Sequence, residues 1–340
     1  LDDVVRYCLS FIFSSEIYRV EGAYTFKFFK DAEMDLEKDV GKGLMERVER
    51  AVDSRKKGQI LRLDYEKDMP AELLRLIIDK LEVAEEHTHP ALGRYHNLKG
   101  LMKISGSKRP DLKYPLWPSL FPVVARSKTL LAEIRKKDCF FHFPYHNLSS
   151  FIHLLQEAAT AEDVKSIKMT LYRLTKKSRV VETLIAAARN GKSVTVVIEL
   201  LARFDETSNI SWARKMQEAG IKVVFGQEGL KVHAKLMHIG SKKGDIACVA
   251  TGNFHEVNAR VYTDVFLMTG DQQVTKEVAE VFKFIEKPYF IPTINHLLFA
   301  PHGLRDRLYQ MIDTEIKHAK DGREAYIMAK LNHINGRETI

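Results

Sequence analysis

Between residues 164 and 225 three apolar, β-branched runs alternate with two helical patterns, and that order permits few folds. Residues 164–173 read as a strand. Residues 178–190 read as a helix with Val181, Leu184, Ile185 and Ala188 on one face and Gly191 as its stop. Residues 193–200, with Val194-Thr195-Val196-Val197-Ile198, read as a buried strand, 209–219 as a helix stopped by Gly220, and 221–225 as a further strand. A βαβαβ unit of this kind makes a parallel sheet with right-handed crossovers, and ligands collect beyond the C-terminal ends of its strands. Arg173 and Arg203 fall at or just past two of those ends.

The loop 226–230 is too short for a crossover helix, so the next strand is expected to run antiparallel to 221–225. It carries Gly229-Leu230-Lys231-Val232-His233-Ala234-Lys235-Leu236-Met237. Strand side chains alternate, which predicts Val232, Ala234 and Leu236 on one face and Lys231, His233, Lys235 and Met237 on the other. An imidazole between two ammonium groups suits phosphate chemistry, because the cations hold an incoming phosphate and favour the unprotonated ring. A half-exposed strand with a solvated polar edge would carry the same residues, so the motif takes its meaning from its neighbours. The turn Lys242-Lys243-Gly244-Asp245 reads as a hairpin that returns 246–250 to the same edge and delivers Thr251-Gly252-Asn253 beside His233. Tyr262 opens the following strand, 263–268. Solvated faces do not explain arginines, a histidine, a lysine, an asparagine and a tyrosine meeting at one edge.

The 340 residues, 45% hydrophobic, suffice for two or three domains with cores. A formal charge of +8 fits a nucleotide, a nucleic acid, a phosphate polymer or an acidic membrane surface, and does not choose among them. Cys8, Cys139 and Cys248 are far apart in apolar settings, which argues against a disulfide framework and for a reducing cytosol. No run approaches the roughly 18 to 20 apolar residues that span a bilayer. Leu1-Asp2-Asp3 has neither a basic leader nor Met, so the chain reads as cut from something longer.

Residues 1–113 read as an α+β module. Val4, Val5, Cys8, Leu9, Phe11 and Ile12 repeat at helical spacing, 24–29 alternates, and Asp68 with Pro70 caps a helix running to about Leu81. His87-Thr88-His89 near Glu85 and Glu86 has no further ligand at useful spacing and reads as a loop before Pro90, without a metal. Pro115, Pro118 and Pro122 mark an extended connector and a domain boundary. Near the C-terminus, Phe299-Ala300-Pro301-His302-Gly303-Leu304, a helix over 305–319 and a strand over 325–333 echo Phe143-Pro144-Tyr145-His146-Asn147-Leu148, the helix 147–160 and the strand 167–174. Ile327, Leu331 and Ile334 stand opposite Ile167, Leu171 and Leu174, so a second copy of the fold is expected to begin near 297 and stop unfinished at Ile340.

The runs Ile167-Lys168-Met169-Thr170-Leu171-Tyr172-Arg173, Val194 to Glu206 with Arg203, Gly229 to Lys235, and Thr251-Gly252-Asn253-Phe254 closely resemble the phospholipase-D-like type of polyphosphate kinase. The likeness spans nearly the whole chain, including Leu1-Asp2-Asp3-Val4-Val5-Arg6-Tyr7-Cys8 and Gly93-Arg94-Tyr95-His96-Asn97, which look like that family's head domain. The resemblance implies an α/β fold: a phospholipase-D-like mixed sheet flanked by helices, preceded by an α+β head-domain portion. It divides the chain into a head portion (1–113), a first catalytic domain (114–296) and a truncated start of a second (297–340). It further implies reversible transfer of the ATP γ-phosphate to the end of inorganic polyphosphate through a phosphohistidine. His233 matches the phosphorylated histidine, with Lys235 as its catalytic neighbour. Arg173 and Arg203 match two arginines at the Mg2+-nucleotide phosphates, as phosphate rather than metal ligands, while Asn253 and Tyr262 match substrate and nucleotide contacts. Mg2+ enters with ATP, and ATP, ADP and polyphosphate are the implied partners, with no specific nucleic acid. A homo-oligomeric full-length enzyme is implied, cytoplasmic or peripheral to the inner membrane.

Two departures stand out. The wider phospholipase-D pattern, H-x-K-x4-D, meets Gly240 where it has aspartate, and the family's second histidine motif and N-terminal domain are absent. The chain therefore resembles a central fragment, expected to be inactive alone. The alternatives are a phospholipase-D-like phosphodiesterase and a non-catalytic polyanion-binding scaffold.

Overall fold

The computed structural model describes residues 2–13, 17, 19–31, 45–50, 58–91, 93, 98–103, 109–112, 114–115, 117–122, 127, 129–172, 174–175, 177–199, 206–226, 230–287, 289–329 and 336–337. The chain divides into two compact units, one of residues 1–118 with 200–211, the other of 119–199 with 212–340.

In the first unit, strands β1 (Phe26–Lys30), β2 (Ile60–Glu66) and β3 (Thr88–Ala91) form a sheet in that order, β2 antiparallel to β1 and parallel to β3. Helix α1 is Asp2–Ile12 and α2 is Ala71–Leu81. Pro70 stands at the N-cap of α2, where a missing N–H costs nothing; the expected Asp68 cap is not made. Ile60, Leu63 and Val83 bury their side chains against Leu74, Ile77, Ile78 and Leu81 of that helix. The stretch read as a loop at 87–89 is instead a 3-10 turn, Glu85–His87, leading into β3. Pro90 is compatible with a strand there because β3 is at the sheet edge.

The second unit is built on a seven-stranded mixed sheet. Its strands are β4 (Cys139–Phe143), β5 (Val164–Leu171), β6 (Ser193–Ile198), β7 (Lys222–Phe225), β8 (Lys235–Ser241), β9 (Ile246–Ala250) and β10 (Asp264–Thr269), in the order β4-β10-β9-β8-β5-β6-β7. The expected βαβαβ unit is present, with β5, β6 and β7 parallel. Its helices are α5 (Arg179–Arg189) and α6 (Glu206–Glu218). Two further helices precede it, α3 (Leu130–Lys136) and α4 (Ser149–Thr160). Phe151, Leu154, Leu155, Val181 and Leu184 of α4 and α5 are fully buried, as apolar faces at helical spacing require. Helix α7 (Gln272–Glu286) brings Val278, Val281 and Phe282 onto Val197, Leu236 and Ala247 of the sheet. Alternation along the strands then turns Val196, Met237 and Cys248 to the opposite face. Cys139 and Cys248 are buried and Cys8 is half-buried, all with free thiols.

The strand after β7 does not pair with it. β8 lies between β9 and β5 and runs antiparallel to both, while β7 is a sheet edge. The connection is longer than a hairpin because β8 begins at Lys235, which leaves residues 226–234 to cross the ends of β6 and β5. At strand spacings of about 4.8 Å that crossing is roughly 14 Å, within the reach of the intervening chain length. The hairpin at 242–245 is found as expected, joining β8 to β9.

Helix α8 (Leu304–Lys320) occupies the place foreseen for the helix of the second copy, and none of its residues is buried. No strand forms at 325–329, where Tyr326, Ile327 and Met328 are exposed; Leu331 and Ile334 lie outside the described residues.

Candidate active site around His233

The start of β8 and the end of β9 lie side by side, since Lys235 pairs with Ala250. The end of β5 is adjacent to β8 on its other side, with Met169 opposite Met237. One further pair along, the ladder gives way to side chains. Thr170 Oγ1 accepts from the Leu236 N–H (2.9 Å) and donates to the Ala234 carbonyl (2.7 Å). The buried Glu199 carboxylate accepts from the Val232 N–H (3.0 Å). With the Val232 N–H and the Ala234 carbonyl held by side chains in this way, the stretch 231–234 leaves the pleat. The expected alternation therefore fails: Lys231, His233 and Ala234 are all exposed, while Lys235 is only 8% exposed.

His233 is consequently presented on irregular backbone at the sheet edge. Tyr172, the residue after β5, meets its ring edge-on, with centroids 5.2 Å apart and planes at 85°. Lys235 passes beneath, its ammonium donating to the His233 carbonyl and lying 5.3 Å from the Tyr172 ring centroid. Burial first, then the charges of Lys235 and Lys231, hold the His233 imidazole below its ordinary pKa, so the neutral, nucleophilic form prevails at neutral pH. Burial also lowers the Lys235 ammonium to about 8, against an opposing pull from the Asp264 carboxylate.

Asp264 connects this pair to the strap after β9. It accepts from the Thr251 hydroxyl (2.9 Å), and Gly252 lies so close that a Cβ there would overlap its carboxylate. Phe254, 3% exposed, stacks on Phe151 with centroids 5.1 Å apart. Asn253 is thus fixed between two anchored neighbours, and its Oδ1 is buried with no hydrogen-bond partner among the described residues. Tyr262 caps a helical turn, Asn258–Val261, two residues before Asp264; it is 58% exposed and precedes β10 rather than opening it. Arg173 and Arg203 lie outside the described residues. Sequence reasoning assigned no role to Tyr172, Thr170, Glu199 or Asp264. The available signal for Glu199 was a carboxylate ending a run of buried β-branched residues.

Residues 129–290 match the polyphosphate kinase C-terminal domain 1, residues 1–104 the polyphosphate kinase middle domain, and residues 297–340 the polyphosphate kinase C-terminal domain 2. The chain belongs to the polyphosphate kinase family. It is 39% identical over 343 residues to the polyphosphate kinase of Vibrio parahaemolyticus, covering 98% of this chain and 49% of that protein. With the polyphosphate kinase of Escherichia coli K12 the identity is 39% over 342 residues, 98% of this chain and 50% of the relative. A crystal structure of polyphosphate kinase from Porphyromonas gingivalis superposes with a TM-score of 0.78 at 30% identity, over 99% of this chain and 49% of that one. The chain thus spans about half the length of the relatives it matches.

In this polyphosphate kinase family member, Gly240, where phosphodiesterases of the H-x-K-x4-D pattern have aspartate, packs against Ser166 Oγ without room for a Cβ unless the serine moves. Among the described residues no group of three or more His, Cys, Asp or Glu side chains could hold a metal.

Proposed function

We propose that this chain carries the nucleophilic histidine of an enzyme that transfers the γ-phosphate of ATP to the end of inorganic polyphosphate. The observation that carries the reading is the exposed His233 imidazole between Lys231 and Lys235 at the edge of the sheet, where burial and the two charges favour the unprotonated ring. A ring nitrogen attacks the γ-phosphorus, the bond to the bridging oxygen breaks, and ADP leaves with the electron pair. A terminal oxygen of polyphosphate then attacks the phosphohistidine, forming the new P–O bond and returning the neutral imidazole. Each step runs in reverse. Lys231 is free to reach solvent and can screen the transferred oxygens, while Lys235 supports the His233 backbone from below. Arg173 and Arg203 supply the forks that hold the nucleotide phosphates, with Asn253 and Tyr262 as further substrate contacts. Mg2+ would arrive bound to the nucleotide's own phosphates and would supply neutralisation of their charge.

The same reading takes residues 1–113 as a head portion, 114–296 as the first phospholipase-D-like domain and 297–340 as the start of the second. It also takes the full-length enzyme as a homo-oligomer without a specific nucleic-acid partner, cytoplasmic or peripheral to the inner membrane. No helix among the described residues is long and apolar enough to cross a membrane. The test uses protein expressed from the complete reading frame with γ-labelled ATP. A phosphoramidate gives label that acid removes and alkali spares, and His233→Ala abolishes it. Acid-labile label at the wild-type rate in that variant would show that another residue is the nucleophile.

A further inference from the structure

Glu277, 5% exposed on α7, receives five hydrogen bonds from one short stretch of chain. Its Oε1 accepts from the N–H of Asn295 (2.8 Å), the N–H of His296 (3.0 Å) and the His296 ring Nδ1 (2.9 Å). Its Oε2 accepts from the N–H groups of His296 (3.0 Å) and Leu297 (2.9 Å). Three successive backbone donors closing on one carboxylate form an anion nest, here filled by the protein itself. Burial pushes the carboxyl up, but the donors outweigh it and leave Glu277 below its ordinary pKa, hence ionised.

One and two helical turns further along the same face are Val281 and Phe284. Phe284 meets Phe299 edge-on (5.4 Å, 85°) and His302 likewise (5.3 Å, 89°). The stretch 295–302 is thus attached to α7 at a polar end and an apolar end. Residues 298–301 and Leu304 line an open cavity of about 460 Å³ together with Val281, Phe284 and Ile285 of α7 and residues 230–234, His233 among them. The nest also falls where the match to the first C-terminal domain, ending at 290, gives way to the second, starting at 297.

We propose that Glu277 is a positioning residue whose grip on the 295–297 backbone fixes the 298–301 wall of the cavity that His233 also lines, and the direction in which the second C-terminal domain leaves the first. Glu277→Gln keeps the shape but replaces one acceptor oxygen with an NH2 that opposes the backbone donors. In protein from the complete reading frame, the amides of Asn295, His296 and Leu297 then exchange about tenfold faster, the local opening expected when a buried charged acceptor is lost. Protection of Val164–Leu171 and Ile246–Ala250 stays unchanged. On the phosphohistidine reading, the maximal rate of His233 labelling also falls about fivefold while ATP affinity holds, since Asn253 and Tyr262 are not among the residues that line this cavity. Unaltered exchange at 295–297 overturns the proposal, as does acceleration spread equally over the sheet. Local acceleration with an unchanged labelling rate overturns the link to His233. If wild type takes no label, the phosphohistidine reading falls and the exchange comparison alone decides whether Glu277 is the clamp.

Discussion

On the proposed reading the His233 imidazole must be neutral to attack phosphorus, whereas a lysine that assists must keep its proton, and burial moves both groups toward the neutral form. The labelling rate should therefore rise through a pH region below the ordinary imidazole range and fall again as pH passes about 8, where Lys235 deprotonates. Lys235→Met should remove that alkaline limb; initial rates of acid-labile incorporation from pH 5 to 9 check both. The same lysine has a stability cost with a definite sign. Between its folded value of about 8 and its ordinary 10.5 the unfolded chain binds more protons, so stability rises with pH across that window. Urea unfolding should find Lys235→Met more stable than wild type by about 2 kcal/mol at pH 7, with the gain vanishing toward the ordinary lysine pKa. Gly252 supplies a third test at this scale: alanine there would press on the Asp264 carboxylate, and we expect a loss of about 1–3 kcal/mol by the same assay.

Helix α5 begins where two acceptors converge. Ser178 Oγ accepts from the Val181 N–H (3.4 Å) and the Glu256 carboxylate from the Arg179 N–H (2.7 Å), a negative charge at the positive end of the helix. Segment 172–178, which contains Arg173 in sequence, is therefore tied at its far end to the strap bearing Asn253, and at its middle by Trp212 Nε1 donating to the Thr175 carbonyl (2.7 Å). Glu256→Ala should cost about 1–2 kcal/mol in urea unfolding and reduce protection at the first turn of α5 more than at its last. The start of this helix near Ser178 and the Gly191 stop were legible in the sequence because both are set by neighbouring residues; Gly191 takes a φ of +76°. The β5–β6–β7 order was legible because a run buried on both faces is continuous in β-branched residues. What happens at 231–234 was not, because the groups that release it from the pleat, the Glu199 carboxylate and the Thr170 hydroxyl, come from other parts of the sequence. The destination of β8 was hidden for a related reason: loop composition gives a length, and the partner is chosen by a register formed with β5, far away in sequence.

For the molecule as a whole, if polyphosphate is the substrate as proposed, the +8 charge predicts that its binding weakens steeply with salt, by the counterion release that governs other polyanions. Arg203→Ala should weaken it more than Lys317→Ala on exposed α8, measured as the slope of log Kd against log salt; equal losses would indicate diffuse attraction. Helix α8 buries no residue, with Leu308 41% and Met311 58% exposed, so its amides should exchange well before those of α7. The strand order also bears on synthesis. β5 and β6 leave the ribosome with the outer edge of β5 open, and its neighbour β8 follows about 70 residues behind, so at ordinary elongation rates that edge waits roughly 4–14 s. β4 waits longer, since its partner is β10. Soluble yield of this chain should accordingly respond to holdase chaperone supply and to slowed translation before codon 235, as an edge left open in a nascent polypeptide invites pairing with the next polysome product.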